Sequence, residues 1–451
     1  MTQVATRYPK YASDFQALKD KDGNQTWLNQ LREQAWARFT ELGLPTARRG
    51  NEKWKYTDVR PIANIAFEHP LALDAATGTN SSQLKQVAPW NDDWTNLTFV
   101  DGRYSPALSS NPSNNGAYLG SLADALETET HGGLVQKHLA HHATFDDDGF
   151  VALNTAFLED GAFVYLPDDD LSHQVVHLIF VTTSRGQPRV TYPRTLIVAG
   201  RNTRLTVVES YVGLTDTRFL TDAVTEMVVG DGATVEHYRL LLESTEAFHV
   251  GVSRVYQGRD STFISGAFAK GASLGRNDFQ VLLDAPGASC TLNGLYLTTG
   301  TQHMDNFINI DHAKPHGTSR LFYKGILDGH SRAVFGGNVT VRKEAQKTDA
   351  QQTDKNLLLS EYAEVDSKPS LLIYADDVKC GHGATAGHLD EDALFYLRSR
   401  GLDVETASRM LIHAFASEII DKVQLAPVRE HLNRLFMEAI PNASLKFGRA
   451  L

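Results

Sequence analysis

Leu196–Glu209 reads LIVAGRNTRLTVVE: an apolar run, a glycine, a short polar turn and a second run rich in branched side chains. That grammar of strand, glycine turn and strand returns as MVVGDGATVEHY from Met227, VYQGRDSTFISG from Val255, LLDAPGASCTLNG from Leu282 and HAKPHGTSRLFYKG from His312. Aligned on Gly200, Gly230, Gly258, Gly287 and Gly317, the turns recur at spacings of 30, 28, 29 and 30 residues. A Greek-key sandwich has unequal connections, whereas one coil of a solenoid with two or three strands fits this period. A single coil cannot bury its apolar face, so the coils must stack along one axis and the stack needs a cap at each end. The expected fold is therefore mainly β, a parallel β-helix, with helical terminal regions as its caps.

Outward from the repeats the texture changes. On the N-terminal side, QTWLNQLREQAWARFTEL places Trp27, Leu31, Ala35 and Phe39 at a four-residue recurrence, an amphipathic helix that Gly43 and Pro45 should end. The stretches TGTNSSQ at 77–83 and SSNPSNNG at 109–116 read as loops. On the C-terminal side, Asp390 and Asp403 stand where helix N-caps belong, Gly401 where a helix stops, and Pro427 at the first position of a third helix. The second of these helices shows Ala407, Met410, Leu411, Ala414, Phe415 and Ile419 along one face. The chain divides into a mostly helical region 1–145, a β-helix core 146–388 and a helical region 389–451. The apolar stripes of the last region serve either its own packing or docking to another protein.

The 451 residues are 42% hydrophobic and 22% charged, an ordinary globular composition. A net charge of -11 gives no basic footprint for nucleic acid. No stretch reaches the roughly 18 apolar residues needed to span a bilayer, and MTQVATRYPKYASDF has no apolar run of signal-peptide length, so a soluble, non-secreted protein is expected. Two cysteines, Cys290 and Cys380, exclude a disulfide framework and fit a reducing compartment.

Cys380 belongs to DVKCGHGATAGH, residues 377–388. On a strand, the i, i+2 spacing of Cys380 and His382 turns both side chains to one face of the sheet, where a thiolate and an imidazole could share a metal. Alone the pair is incomplete, since a closed zinc site or an iron–sulfur cluster takes about four ligands. Two other readings stay open: a cysteine nucleophile with a histidine base, for which no orienting Asn or Asp can be assigned, and a purely structural pair with glycines for tight bends. Two further histidine groups are candidates. His138, His141 and His142 read first as a solvated helix end, because the glutamate of the zinc-protease motif is missing. His303, His312 and His316, with Asp305 and Asp311, would form a polar face on one side of the solenoid.

DVKCGHGATAGHLDEDALFYLRSRGL (377–402), EAQKTDAQQTDKNLLLSEYAEVDSKPSLLIYADD (344–377) and IDHAKPHGTSRLFYKGILDG (310–329) together resemble the signature of the SufD subunits of the SUF iron–sulfur cluster assembly scaffold, with EKWKYTD (52–58) and ALNTAF (152–157) in agreement. The resemblance covers most of the chain. It implies a right-handed β-helix between an N-terminal domain and a C-terminal helical domain, pairing with a SufB-like paralogue through the β-helix, and docking of a SufC-like ABC ATPase on the C-terminal helices. It leaves a homodimer of the isolated chain open. Cys380 and His382 fall on the family's functional Cys and His, at an interface where a transient iron–sulfur cluster or its iron is handled, with no permanently bound cofactor. Gly381 departs from the polar residue often found after the cysteine, and His388 adjoins the next helix cap and serves locally. A non-catalytic, cytoplasmic subunit is implied, or one of the plastid stroma. The absence of a G-x-x-x-x-G-K-S/T loop fits this, since the chain is then not the ATPase. Competing classes are an exported β-helix polysaccharide lyase or hydrolase, which would carry a carboxylate cluster, a left-handed acyltransferase, which would repeat every six residues, and a scaffold with no metal role.

Overall fold

The computed structural model describes residues 8–22, 27–48, 50–70, 79–110, 116–183 and 187–440. The opening MTQVATR, residues 71–78 and 111–115, which include part of each of the two expected loops, and the last eleven residues lie outside this description. The chain is mainly β, with 40% strand and 26% helix, wound into a β-solenoid of about seven turns.

Each coil contributes one strand to each of two ten-stranded sheets. Sheet one runs through Arg204–Gly213, Thr234–Leu242, Thr262–Ala269, Ser289–Thr298, Thr318–Leu327, Asp349–Leu358 and Lys379–Gly387. Sheet two runs through Arg194–Ala199, Phe219–Val229, Phe248–Gln257, Leu274–Leu283, His303–His312, Arg332–Val341 and Glu364–Ile373. Successive strands within each sheet pair in parallel. Register links Arg204, Thr234, Thr262, Ser289, Thr318, Asp349 and Lys379, so every side chain stacks on its counterpart one coil away.

The repeat is real, but its landmark is not the glycine. What recurs in register is a left-handed residue two positions before six successive sheet-one strands: Asn202, Gly232, Asp260, Gly287, His316 and Lys347, with Asp169 left-handed in the turn one coil earlier. Each donates its backbone N–H across to a carbonyl of the next turn, as Asn202 does to Asp231, Gly232 to Arg259, Asp260 to Pro286 and His316 to Gln346. This ladder satisfies amides that a turn would otherwise leave bare. Gly200, Gly230 and Gly258 sit two positions earlier, where a Cβ at Gly258 would lie 2.9 Å from the Asp231 backbone nitrogen of the coil below. Gly287 occupies the left-handed position itself, and Gly317 follows it. The glycine alignment thus slides by up to three residues while the coil keeps its register.

The lumen between the sheets holds the principal core, from Leu97 and Phe99 through Leu205, Val235, Phe263, Cys290 and Leu321 to Ala350. At the N-terminal end Arg103–Tyr104 and Tyr118–Ser121 add antiparallel strands that finish the two sheets. The N-terminal helices Pro9–Asp22 and Trp27–Leu42 cover the outer face of sheet two through an aromatic nest of Tyr11, Phe15, Trp36, Phe39, Phe157 and Tyr192. Gly43 ends the second helix in a left-handed turn, as its sequence predicts. Residues 81–83, read as the end of a loop, instead open the helix Ser81–Val87, for which Asn80 and Gln83 form a capping box.

The C-terminal helices Glu391–Ser399, Val404–Ile420 and Ala426–Ala439 begin at the expected caps Asp390 and Asp403 and with Pro427 in the first turn. They do not close the end of the stack, contrary to expectation. The second and third lie along the outer face of sheet one, over Leu240, Leu295, Leu297 and Ile326, and the first contacts the second. The second helix buries Ala407, Ser408, Ile412, Ala416, Ile419 and Ile420, while Met410 and Ala414, expected on the buried face, are exposed. Among the described residues no helix is long and apolar enough to cross a membrane.

Candidate functional site

Because the helices pack sideways, no described residue stacks on the C-terminal coil. Glu364–Ile373 and Lys379–Gly387 are the outermost strands of the two sheets, each paired on one side only among the described residues. Cys380 continues the lumenal column Leu205, Val235, Phe263, Cys290, Ser319, Ala350, and His382 continues Val207, His237, Ser265, Leu292, Leu321, Gln352. Every earlier member of both columns is buried, yet Cys380 is half-buried and His382 exposed. The same strand geometry that hides a side chain in an inner coil presents it at the mouth of the last one.

Cys380 rests against the lumenal core. Partial burial pushes its thiol up, the Ala350 backbone hydrogen bond pulls the other way, and nearby Asp349 adds to the rise. No cation lowers it, so this thiol is not pre-activated as a nucleophile. His382 makes no hydrogen bond with any described residue and is free to meet a group from outside. Cys290 stands three coils below in the same column and is fully buried, with its thiol held strongly protonated by desolvation. His388 donates locally, from Nδ1 to the Leu358 carbonyl at 2.9 Å.

Two outward positions of the last strand are bare. A Cβ at Gly383 or Gly387 would meet nothing within 4 Å, so neither glycine is required by packing within this chain. Around the mouth and along the adjoining helices Tyr362, Leu372, Ile373, Tyr374, Phe395, Tyr396 and Met410 are all exposed, Phe395 to 73%. An apolar surface of this kind marks an interaction site.

Beneath the mouth lies a polar floor that the sequence did not disclose. Gln352 and Asp354 point into the lumen from Asp349–Leu358, under His382 and Ala384. Gln352 Nε2 donates across the lumen to the Gly337 carbonyl at 3.0 Å. Asp354 Oδ2 accepts from Ser367 Oγ at 2.7 Å and from Asn356 Nδ2 at 2.8 Å. Burial raises the Asp354 carboxyl to about 6, against the lowering effect of those two bonds. QQTDKN carries no apolar alternation to reveal this; only inheritance of register from Leu321 and Tyr323 turns these side chains inward.

The motif EKWKYTD straps the N-terminal region across sheet two. Lys53 pairs with Asp148 at 2.6 Å and Asp278 at 2.9 Å, Trp54 lies 4.0 Å over the Arg276 guanidinium, and Thr57 donates to Asp305. Glu52 reaches the outermost strand at Lys368, 2.8 Å away. The other histidine groups scatter. His303 faces Thr57 on the outer surface, His312 is buried with Nε2 2.9 Å from Ser319 Oγ, and His316 occupies the left-handed turn. The helix carrying His138 ends there, and Glu226 gathers the backbone amides of Ala140, His142 and Ala143. The rings of His138 and His142 stand 6.4 Å apart. Among the described residues no three His, Cys, Asp or Glu side chains converge to hold a metal.

Two family models cover the chain: the SufBD core domain of SUF-system FeS cluster assembly matches residues 180–415, and the SufBD N-terminal region matches residues 4–178. The chain belongs to the SufBD family. An iron–sulfur cluster assembly SufBD family protein of Synechocystis is 32% identical over 93% of this chain and 94% of its own length. The SufD protein of Escherichia coli is 29% identical over 91% and 93%, and a chloroplastic protein of Arabidopsis thaliana is 32% identical over 87% and 82%. The SufBD core match spans the solenoid from residue 180 through both outermost strands, Cys380 and His382 included, and into the second C-terminal helix. A role in SUF iron–sulfur cluster assembly follows from membership of this family.

Proposed function

We propose that this chain is the SufD-type, non-ATPase scaffold subunit of a SUF complex, and that it pairs with a SufB-like paralogue at the open end of the solenoid. The supporting observation is the termination of both sheets at unpaired edges, with Cys380 and His382 at the rim. A second solenoid whose own terminal strands add to these edges would continue both sheets and enclose the two columns. Cys380 and His382 would then contribute two donors to a site that the partner completes, which resolves the shortage of cysteines in one chain. Iron or a nascent cluster is the cargo handled there.

A SufC-like ABC ATPase docks on the C-terminal helices, where Phe395, Tyr396, Val404 and Met410 are exposed. Closure of two ATPase subunits would draw those helices together and shift the strands they lie on. Lys324 transmits such a movement, since its Nζ donates to the Phe415 carbonyl and pairs with Glu418. The relatives' descriptions place such proteins in bacteria and a chloroplast, which supports a cytoplasmic or plastid-stromal location.

The test is reconstitution with the paralogue and the ATPase. Cys380→Ser and His382→Ala should each cut cluster yield severalfold while the complex still assembles. A disulfide from Cys380 to the partner should form only with ATP present. Unchanged yield in both variants would reduce the pair to a structural role, and ATP-independent trapping would remove the gating step.

A further inference from the structure

Two acceptor oxygens at the floor of the solenoid mouth have nothing to accept. Asp354 Oδ1 and Gln352 Oε1 are buried without a hydrogen-bond partner among the described residues, and both residues are nearly inaccessible, at 0% and 2% exposure. Their other polar atoms are fixed: Gln352 by the Gly337 carbonyl, which sets its amide so that nitrogen donates and oxygen is left over, and Asp354 by Ser367 and Asn356. The two residues stand two positions apart on the lumenal face of one strand, so their side chains project to the same side.

Leaving two buried acceptors unmatched is costly, and such groups in a native fold call for an explanation. The neighbouring residues cannot serve both oxygens: Tyr296 already donates to Asn356, and of the lumenal positions directly above on the last strand, His382, Ala384 and Ala386, only the imidazole has an N–H to give, and to one oxygen at most. A cation answers two oxygens at once, and one of them is a carboxylate. The imidazole directly above Gln352 is a borderline donor without a partner, and the Cys380 thiol lies one step along the same face. Oxygen and imidazole together suit a divalent first-row transition metal better than magnesium or calcium, which prefer oxygen throughout.

We propose that Gln352 and Asp354 supply the oxygen side of a divalent-metal half-site at the mouth of the solenoid, with His382 as its imidazole donor. The inference rests on the assignment of Cys380 and His382 as the working edge, and adds where an incoming iron(II) ion is first held. The remaining positions face the solenoid mouth, for water in the isolated chain and for partner groups in the complex.

Cobalt(II) is a suitable probe, titrated anaerobically into the full-length chain and followed by its visible d–d absorption and by calorimetry. The wild-type protein should bind one ion. Asp354→Asn, which keeps the shape and the hydrogen bonds to Ser367 and Asn356, should weaken binding at least tenfold with an unchanged thermal midpoint or a higher one. Gln352→Leu should weaken it severalfold, His382→Ala comparably to Asp354→Asn, and Lys355→Gln, facing outward on the same strand, not at all. Failure of the wild-type chain to bind cobalt, or an Asp354→Asn affinity within twofold of wild type, overturns the half-site. If affinity falls in His382→Ala and Cys380→Ser but not in Asp354→Asn, the metal is held by the rim pair alone. The proposed function then stands without this floor. Cluster yield unaffected by Cys380→Ser and His382→Ala sinks that function on its own readout, independently of cobalt.

Discussion

Replacing His177 by glutamine should remove a specific part of the protein's acid sensitivity. His177 is fully buried on the His173–Thr182 strand, with Nε2 2.8 Å from Ser210 Oγ and Nδ1 3.3 Å from Asn96 Oδ1. Trp94 and Trp90 stand edge-on to the ring, and His431 is the titratable group nearby. Burial first, and His431 second, lower the imidazole from 6.5 to about 3. Between those values the unfolded chain binds a proton that the folded chain refuses. Stability from this residue is therefore complete above about pH 6.5 and drains away as the pH falls toward 3. At pH 5 the unfolded histidine is almost wholly protonated, and the loss relative to pH 7.5 amounts to about 2 kcal/mol. His431, itself lowered to about 4, is still neutral there and does not confuse the comparison. The assay is denaturant unfolding at both pH values at one protein concentration. His177→Gln loses ring packing and should start less stable at pH 7.5, but its fall on acidification should be smaller than wild type by that amount. Parallel falls in the two proteins would refute a neutral buried imidazole.

Glu226→Gln should cost about 3–5 kcal/mol by denaturant midpoint, since it strands the fully buried Arg194 that Glu226 meets at 2.5 Å; a loss below about 1 kcal/mol would contradict an ionised pair. Trp54→Ala should cost a similar 3–5 kcal/mol and expose the strap over Arg276 to protease, whereas a resistant, equally stable variant would show that the strap is not anchored there. Gly258→Ala should destabilise by about 1–3 kcal/mol because its methyl meets the Asp231 turn. Gly383→Ala and Gly387→Ala should be neutral or slightly stabilising in the isolated chain and weaken association with the paralogue, a split between stability and binding that equal effects on both would disprove.

The solenoid was legible because each coil must repeat the one below it, and stacking leaves a period in the sequence. The phase was harder, since the left-handed position accepts Asp260, Asn202, His316 and Lys347 as well as glycine. A capping side chain or a cross-turn backbone bond can hold that conformation, so glycine counting drifts. Helix starts at Asp390 and Asp403 were readable from local chemistry alone. The buried face of Val404–Ile420 was not: apolar residues surround that helix, and Ile412 and Ala416 rather than Met410 and Ala414 meet the sheet. Its rotation is chosen by Leu295, Leu297 and Ile326, which lie far away in sequence. The i, i+2 spacing of Cys380 and His382 correctly gave them one face. Their exposure depends on the stack ending at their own strand, and the floor of Gln352 and Asp354 depends on register carried through five coils, neither of which a local reading contains.

Backbone amide hydrogen exchange over Lys379–Gly387 and Glu364–Ile373, in the isolated chain and in complex with the SufB-like paralogue, tests the open edge most directly. Half of the amides on each edge strand should exchange quickly alone and become protected by at least a hundredfold in the complex, with Cys380 and His382 inside the protected segment. Rapid exchange that persists in the complex, with new protection confined to other surfaces, would mean that the partner docks elsewhere and that this end of the solenoid is not a subunit edge.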